Sequence, residues 1–349
     1  IQRLELFQPR FQKGTRRNAE RIPRHRKGLT MELPIELRQL LEEQAGAFPL
    51  KQLTAAAAKM SEKYRSETGA SISGSAETCA YAVVRMPATY GAASAALEPA
   101  AKRFDGEIST MLDVGAGTGA VCWAAAEIFP EIEYAVCLER DKNMTEIGEK
   151  LMKNGGFPCG YEWKSFDLTS SAISQKVQLV TASYVLNELE PKQRAEAVKK
   201  LWNAAEKLLV IIEPGTPKGF ASLLEMRSLL IDFGAHIIAP CPCDEECPLP
   251  SDDWCHFSAR VARTKLHKLL KGGDAPYEDE KFCYIAAVRS SAASAVSRII
   301  RHPKIESGKI TLELCTASGI SQKIVTKKDG AAFKQARKAN WGDDLSYTK

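Results

Sequence analysis

The stretch Leu112-Asp113-Val114-Gly115-Ala116-Gly117-Thr118-Gly119 decides how this chain is read. Three glycines at alternate positions follow an apolar run, 110–114, and precede a helix-forming run, 119–129. Glycine there lets the backbone turn tightly and come close to a ligand. An acidic residue, Glu139, stands twenty positions after Gly119, at the end of the next apolar run, 134–138. A carboxylate at that place can accept both hydroxyls of a ribose. Outward from this motif the rhythm repeats. Strands are expected at 178–183 and 207–212, and helices near 141–153 and 191–205. That alternation predicts an α/β fold, a parallel sheet with helices on both faces. The glycine loop then makes a nucleotide-type site, a logic shared by proteins that bind NAD, FAD and S-adenosylmethionine (SAM).

Two further features favour SAM. The loop is similar to motif I of the class I methyltransferases, and Phe166-Asp167-Leu168 is similar to the segment that meets the adenine there. The resemblance implies residue roles. Asp113, Gly115, Ala116, Gly117 and Gly119 would line the methionine and ribose side. Glu139 would hold the ribose and Asp167 the adenine amino group. Tyr184, in the strand end 183–189, would face the methyl group, with Asn187 and Glu188 as candidate catalytic residues. The run Leu186-Asn187-Glu188-Leu189 lacks the Pro-Pro-aromatic grip on a flipped base. Glu213-Pro214-Gly215 lacks a nucleophilic cysteine. The sequence therefore supports SAM binding more than methyl transfer.

The remainder is ordinary in composition: 349 residues, 44% hydrophobic and 26% charged, with mean hydropathy −0.24. A wholly disordered chain, a collagen and a coiled-coil rod are excluded. No apolar run approaches the roughly 18 residues of a membrane-spanning helix. The net charge of +5 comes from the ends. Residues 1–30 hold nine Lys and Arg against Glu5 and Glu20, and residues 289–349 hold twelve against five. Basic ends suit a polyanion such as RNA. Residues 1–30 have no apolar signal core. They are read as sequence upstream of a start at Met31, with a mitochondrial targeting peptide or a basic RNA-binding arm as alternatives. Helices are expected over 31–67 and 76–103, the second kinked or divided at Pro87, with a Gly/Ser break at 69–75 between them.

Ten cysteines without a secretory signal point to a reducing compartment. Six lie late: Cys241, Cys243, Cys247, Cys255, Cys283 and Cys315. Thiolates in the Pro-bounded loop 240–255 can converge on one metal site, and spacing leaves zinc and an iron–sulfur cluster both open.

Several motifs together carry a more specific resemblance: Arg-Met-Pro-Ala-Thr-Tyr at 85–90, the glycine loop, Leu-Asn-Glu-Leu at 186–189 and Glu-Pro-Gly-Thr-Pro at 213–217. Ala-Pro-Cys-Pro at 239–242, Asp-Trp-Cys-His-Phe-Ser at 253–258 and Ala-Arg-Lys-Ala-Asn-Trp-Gly-Asp at 336–343 complete the set. Over about 35–344 the chain resembles the methyltransferase-like family of small-ribosomal-subunit assembly factors, and is identified as a bacterial member. The resemblance implies a [4Fe–4S] cluster on Cys241, Cys247, Cys255 and Cys315, with Cys243 and Cys283 as spare or substitute ligands. It also implies small-subunit rRNA as partner. The bacterial cytoplasm is the expected compartment and the mitochondrial matrix the alternative, with a monomer off the ribosome.

A basic helix at 256–271 is expected to meet the RNA. Helical spacing would put Arg260, Arg263, His267 and Lys271 on one face, with Lys268 beside them. The units expected are 1–30, a helical cap 31–105, a SAM-binding domain 106–238, a Cys-rich loop and basic helix 239–289, and a small β-rich module 290–349. Non-catalytic scaffolding and a zinc-bearing methyltransferase with a non-RNA substrate are the alternative functions.

Overall fold

The computed structural model describes residues 30–65, 74–290 and 295–345. The reading of 1–30 therefore lies almost wholly outside the described residues, and so does most of the 69–75 break. The order begins with α1 (Ile35–Gly46), α2 (Leu50–Arg65), α3 (Ser75–Arg103), β1 (Thr110–Val114), α4 (Ala120–Ile128), β2 (Tyr134–Glu139), α5 (Lys142–Asn154) and β3 (Gly160–Ser165). It continues with β4 (Val177–Ser183), α6 (Pro191–Ala204), β5 (Ala205–Pro214), α7 (Pro217–Asp232), β6 (His236–Ala239), β7 (Phe257–Ala262), α8 (Lys265–Lys271) and β8 (Tyr277–Val288). The last elements are β9 (Ser297–Ile299), β10 (Lys304–Glu306), β11 (Lys309–Thr316), β12 (Gly319–Thr326) and α9 (Ala331–Ala336).

The large sheet has the order β3-β2-β1-β4-β5-β8-β6, with β7 also paired to β8. The pairs among the first five strands are parallel, and β8 runs antiparallel to its neighbours. This is the expected α/β sheet with a parallel run of strands. The reversal of strand order at β1 and β4 opens a crevice at their carboxyl ends, where such sheets bind ligands. The helices start on local signals. Asp141 caps α5 by accepting from the Asn143 and Met144 amides, and Thr216 caps α7 ahead of Pro217.

Several expectations need correction. The run 31–67 is two helices, broken at Phe48-Pro49, because proline cannot continue the first helix. Met31 opens no helix. Its amide donates to the Arg260 carbonyl at 2.7 Å and its carbonyl accepts from the Ala262 amide at 2.8 Å, so it adds a parallel bridge to β7. Helix α3 runs through Pro87 undivided. The basic helix at 256–271 is a strand, β7, followed by the seven-residue α8. Residues 257–262 alternate buried and exposed, and that period of two decides for strand. The unit expected as a Cys-rich loop and basic helix, 239–289, also holds a strand of the large sheet, the twelve-residue β8, whose second half, 282–288, is buried. Strands β3 and β6 carried no sequence signal: one is polar and only partly buried, the other four residues long.

Two apolar cores flank the large sheet, one under the cap helices and one under α6 and α7. The second sheet, β9 to β12, has its own small core around Ile310, Leu312, Leu314 and Val325. Aromatic side chains join it to the large sheet. Trp341 meets His256 and His302 edge-on at 4.8 Å each, and Trp254 stacks on His256 at 5.3 Å.

Candidate functional site

Two sites emerge, on opposite sides of the β5 carboxyl end. The first is the glycine loop. Gly115, Gly117 and Gly119 all have positive φ, a backbone that side-chain-bearing residues rarely adopt. A Cβ at Gly117 would meet open space, so the loop exposes its backbone there. The Gly117 amide donates to Glu139 Oε2 at 2.8 Å, while Glu139 Oε1 accepts from the Arg140 and Asp141 amides at 2.8 Å each. A carboxylate has about four acceptor positions, and here three are taken. Glu139 is thus aimed by the loop, with room for one hydroxyl. Holding both would require it to release the Gly117 amide.

Asp167 accepts from the Thr169 amide at 2.8 Å and its hydroxyl at 2.6 Å, which hold its carboxyl below the usual range. Its other oxygen lies 3.9 Å from Arg140, so the residue expected to meet the adenine is a charged acceptor. Ala116 is buried in the loop. Asp113 is turned away from it. Its side chain is enclosed beneath the sheet, accepting from the Thr181 hydroxyl at 2.7 Å and the Cys122 thiol at 3.8 Å. Burial pushes its carboxyl up to about 7. It supports the loop and does not line the ligand side.

The turn after β4 is held on both sides. Tyr184 has φ of 59°, and its amide donates to the Ile212 carbonyl. Burial pushes its hydroxyl well up, and Glu280 and Arg85 stand beside it. Arg85 and Glu280 form a two-pronged pair at 3.1 and 2.9 Å. Glu213, fully buried, accepts the Leu186 amide at 3.1 Å, and burial pushes its carboxyl up to about 8. Arg194 donates to the Leu186 and Leu189 carbonyls. Asn187 Oδ1 is buried without a hydrogen-bond partner among the described residues. Glu188 is raised chiefly by desolvation, with Glu139 adding repulsion. These two residues face no assembled proton relay. Arg85 and Glu213 lie in motifs quoted from the sequence, but nothing there signalled their partners.

The second site is a cavity between β6, α7, β8 and the small sheet. Its empty volume is about 650 Å³, part of it open to solvent. Cys241, Cys243, Cys247, Cys255, Cys283 and Cys315 all contribute to its walls. Burial pushes the Cys255 thiol well up, and Cys241, Cys315, Cys247 and Cys283 add repulsion. Burial, with repulsion from Cys241, Cys247 and Cys243, pushes Cys315 up to about 12. Such a set ionises only beside positive charge. Arg227 stands next to Cys241, lowering its thiol against burial, and donates to the Cys243 carbonyl at 2.7 Å. Arg298, 1% exposed, donates to the Pro240 carbonyl at 2.9 Å and pairs with Asp344. Cys283 is engaged elsewhere, its thiol donating to the Pro214 and Glu213 carbonyls at 3.3 and 3.6 Å. Among the described residues no group of three or more His, Cys, Asp or Glu side chains is arranged to hold a metal ion. The thiols surround a space and do not close on a point.

The expected RNA face is not assembled. Arg260, on β7, makes a two-pronged pair with Asp279 at 2.8 and 2.9 Å and lies over Tyr277. Arg263 reaches the Ala275 carbonyl at 3.5 Å. His267 is buried and Lys271 pairs with Glu278 at 2.6 Å. Lys268, on α8, is half-buried and shares no face with Arg260. The acids of β8, unseen by a local helical reading, pair with Arg260 and Lys271.

No helix among the described residues is long and apolar enough to cross a membrane. Residues 75–346 match the model of the family described as Mitochondrial small ribosomal subunit Rsm22. The chain is similar to the human Ribosome assembly protein METTL17, mitochondrial: 28% identical over 293 residues, 76% of this chain and 61% of the human protein. It is 25% identical to the fission-yeast (Schizosaccharomyces pombe) Rsm22-cox11 tandem protein 2, mitochondrial, over 67% of this chain and 38% of that one. The chain thus spans less than two thirds of these relatives' length. A solved magnesium protoporphyrin IX methyltransferase from Synechocystis, with bound SAH, aligns at TM-score 0.39 and 14% identity over 66% of this chain and 93% of that one. The curated relatives are mitochondrial proteins of eukaryotes, so the expectation of a bacterial, cytoplasmic member has no support among them. The match over most of its length places the chain in the Rsm22 family of the mitochondrial small ribosomal subunit.

Proposed function

We propose that the protein is a SAM-binding, iron–sulfur factor of small-ribosomal-subunit assembly that docks on its rRNA. The observation that carries the reading is the convergence of Cys241, Cys247, Cys255 and Cys315 on one cavity across the junction of the two sheets. A single zinc ion draws its sulfurs to about 2.3 Å from one point. Thiols spread around a space suit the larger body of a [4Fe–4S] cluster, which would need these four as thiolates. The cluster's own positive charge would offset the burial and repulsion that otherwise keep the thiols protonated. Its role in this reading is structural, tying the basic small sheet to the methyltransferase-type domain. Cys283 stays outside the set, since its thiol donates to the Pro214 and Glu213 carbonyls, and Cys243, whose thiol also lines the cavity, stays a substitute ligand.

At the glycine loop, Gly117 would present its amide and Glu139 a single free acceptor position to the ribose, with Asp167 at the adenine. SAM would bring a reactive methyl group. No side chain of the Leu186–Leu189 turn is paired with a base that could take a proton, so binding is the supported activity. The relatives favour the mitochondrial matrix over the bacterial cytoplasm as compartment. The basic excess at the small sheet makes rRNA attachment salt-dependent.

The test is anaerobic purification with an absorption spectrum and iron, sulfide and zinc analysis. The expected outcome is a brown protein with about four irons per chain, lost in Cys255→Ser. A colourless protein holding one zinc overturns the cluster. SAM binding by calorimetry, abolished in Gly117→Arg, tests the loop separately.

A further inference from the structure

The outer strand of the small sheet, β12, pairs with β11 alone; among the described residues nothing pairs with its other side. Its backbone directions follow from the register. A two-residue turn joins Thr316 to Gly319, which makes that pair a hydrogen-bonded one. Every second pair then bonds in the same way: Leu314 with Ser321, Leu312 with Lys323, Ile310 with Val325. The amides and carbonyls of Ile320, Gln322 and Ile324 therefore point away from β11, to the open edge. Two contacts agree. The Glu313 carbonyl, opposite Gln322, is taken on its far side by the Ile300 amide. The Thr326 amide, next in the outward series, is taken by Asp329.

An open edge of this kind is a template for another strand, and proteins blunt it with proline, a bulge, a covering element or a lysine, of which this strand has the last alone, Lys323. Between Gly319 and Val325 there is no proline and no register shift. Two isoleucines are exposed there instead, Ile320 at 36% and Ile324 at 55%. The surroundings are basic. Residues 295–345 hold ten Lys and Arg against five Asp and Glu, and Lys327, Lys328 and Lys334 are exposed at the end of β12 and on α9. Strands β10 to β12 carry no aromatic side chain on which a nucleic-acid base could stack.

We propose that β12 is a docking edge for an extended segment of a partner protein, added as a further antiparallel or parallel strand, with apolar side chains on the isoleucine face and acidic ones toward the lysines. Main-chain bonds to Ile320, Gln322 and Ile324 would supply the affinity and the charge would supply the selectivity. This holds whether or not the cavity carries a cluster.

The test uses the full chain and a synthetic eight-residue peptide that alternates valine and glutamate. The expected result is slowed hydrogen exchange at the amides of Ile320, Gln322 and Ile324, with no change at Ser321 or Lys323. Gln322→Pro removes one outward amide without touching the bonds to β11, and should weaken the peptide about tenfold or more. Its melting temperature is measured alongside. If that variant fails to fold, the same peptide with lysine in place of glutamate serves, and should bind at least about tenfold more weakly. Unprotected amides, or equal binding of the acidic and basic peptides, overturn the proposal. So does the same protection by a polyuridine oligonucleotide, which would make the edge an RNA contact. Self-association that alone protects the three amides would make it an interface between copies and overturn it too.

Discussion

The Asp113 carboxyl, closed in between Thr181 and Cys122, ionises only near pH 7 because burial disfavours its charged form. In the unfolded chain the same group ionises near 3.8. Between those values the folded protein binds the extra proton, so stability is full at low pH and falls as pH rises toward 7. Glu213, raised to about 8, acts in the same direction over a window reaching higher. Asp113→Asn keeps an acceptor for the Thr181 hydroxyl and removes the ionisation. Denaturant melts of the variant should therefore show a shallower decline from pH 4 to 7, with the Glu213 share left, and at pH 8 it should exceed the parent by on the order of 4 kcal/mol. An unchanged pH profile would show that Asp113 is not buried in solution. The glycines and Glu139 were legible as a ligand loop because backbone conformation there depends on residue type. The direction of Asp113 was not legible, since it depends on Thr181 and Cys122, which come from other elements.

Helix α3 lies close against β7, and Gly91 is the reason it can. A Cβ there would sit 2.4 Å from Val261 Cγ1 and 3.6 Å from the Ala259 side chain. Gly91→Ala should cost about 1–3 kcal/mol through overpacking, seen as a lower urea midpoint. Adding Val261→Ala should restore part of the loss, which a double-mutant cycle measures. Equal losses in the single and double variants would rule out this contact as the cause. The same strand explains the main misreading of elements. Residues 256–271 hold no acidic side chain, and a charge count over so short a window suggests a helix face. The alternation of Phe257, Ala259 and Val261 inward is the stronger signal, since it matches a strand buried on one side. The acids that pair with Arg260 and Lys271 lie on β8, nineteen and seven residues beyond them. Strands β1, β2, β4 and β5 were legible for the opposite reason: each is a short apolar run between helices, as a strand buried on both faces must be.

At the scale of the molecule, the small sheet is held by few buried contacts, and Arg298 is central to them. Its guanidinium reaches the Pro240 and Gly342 carbonyls and Asp344, joining the loop of the large sheet to the last residues described. Asp344 also accepts from Arg103 at the end of α3. Arg298→Ala would leave a carboxylate and two carbonyls without this partner, at a cost of about 3–5 kcal/mol. Limited proteolysis should then cut near residue 290 and release the small sheet as a fragment, while the parent resists. Cleavage at equal rates would place the holding force elsewhere, in the Trp341 contacts. The cysteine spacing announced a site, but no local pattern announces that Cys315 closes its wall. That follows only from the register Cys315 to Arg298, which brings β11 beside the loop.

The origin of that wall has a consequence for biosynthesis. Chains emerge from the ribosome N-terminus first, and Cys315 stands in the last tenth of this sequence. The other thiols are all made earlier, so the cavity stays one wall short until β11 has left the exit tunnel and docked. Closure of this chamber therefore reports that translation has passed Cys315, and a prematurely terminated chain reveals itself by an apolar hollow left open to the chaperones and proteases around it.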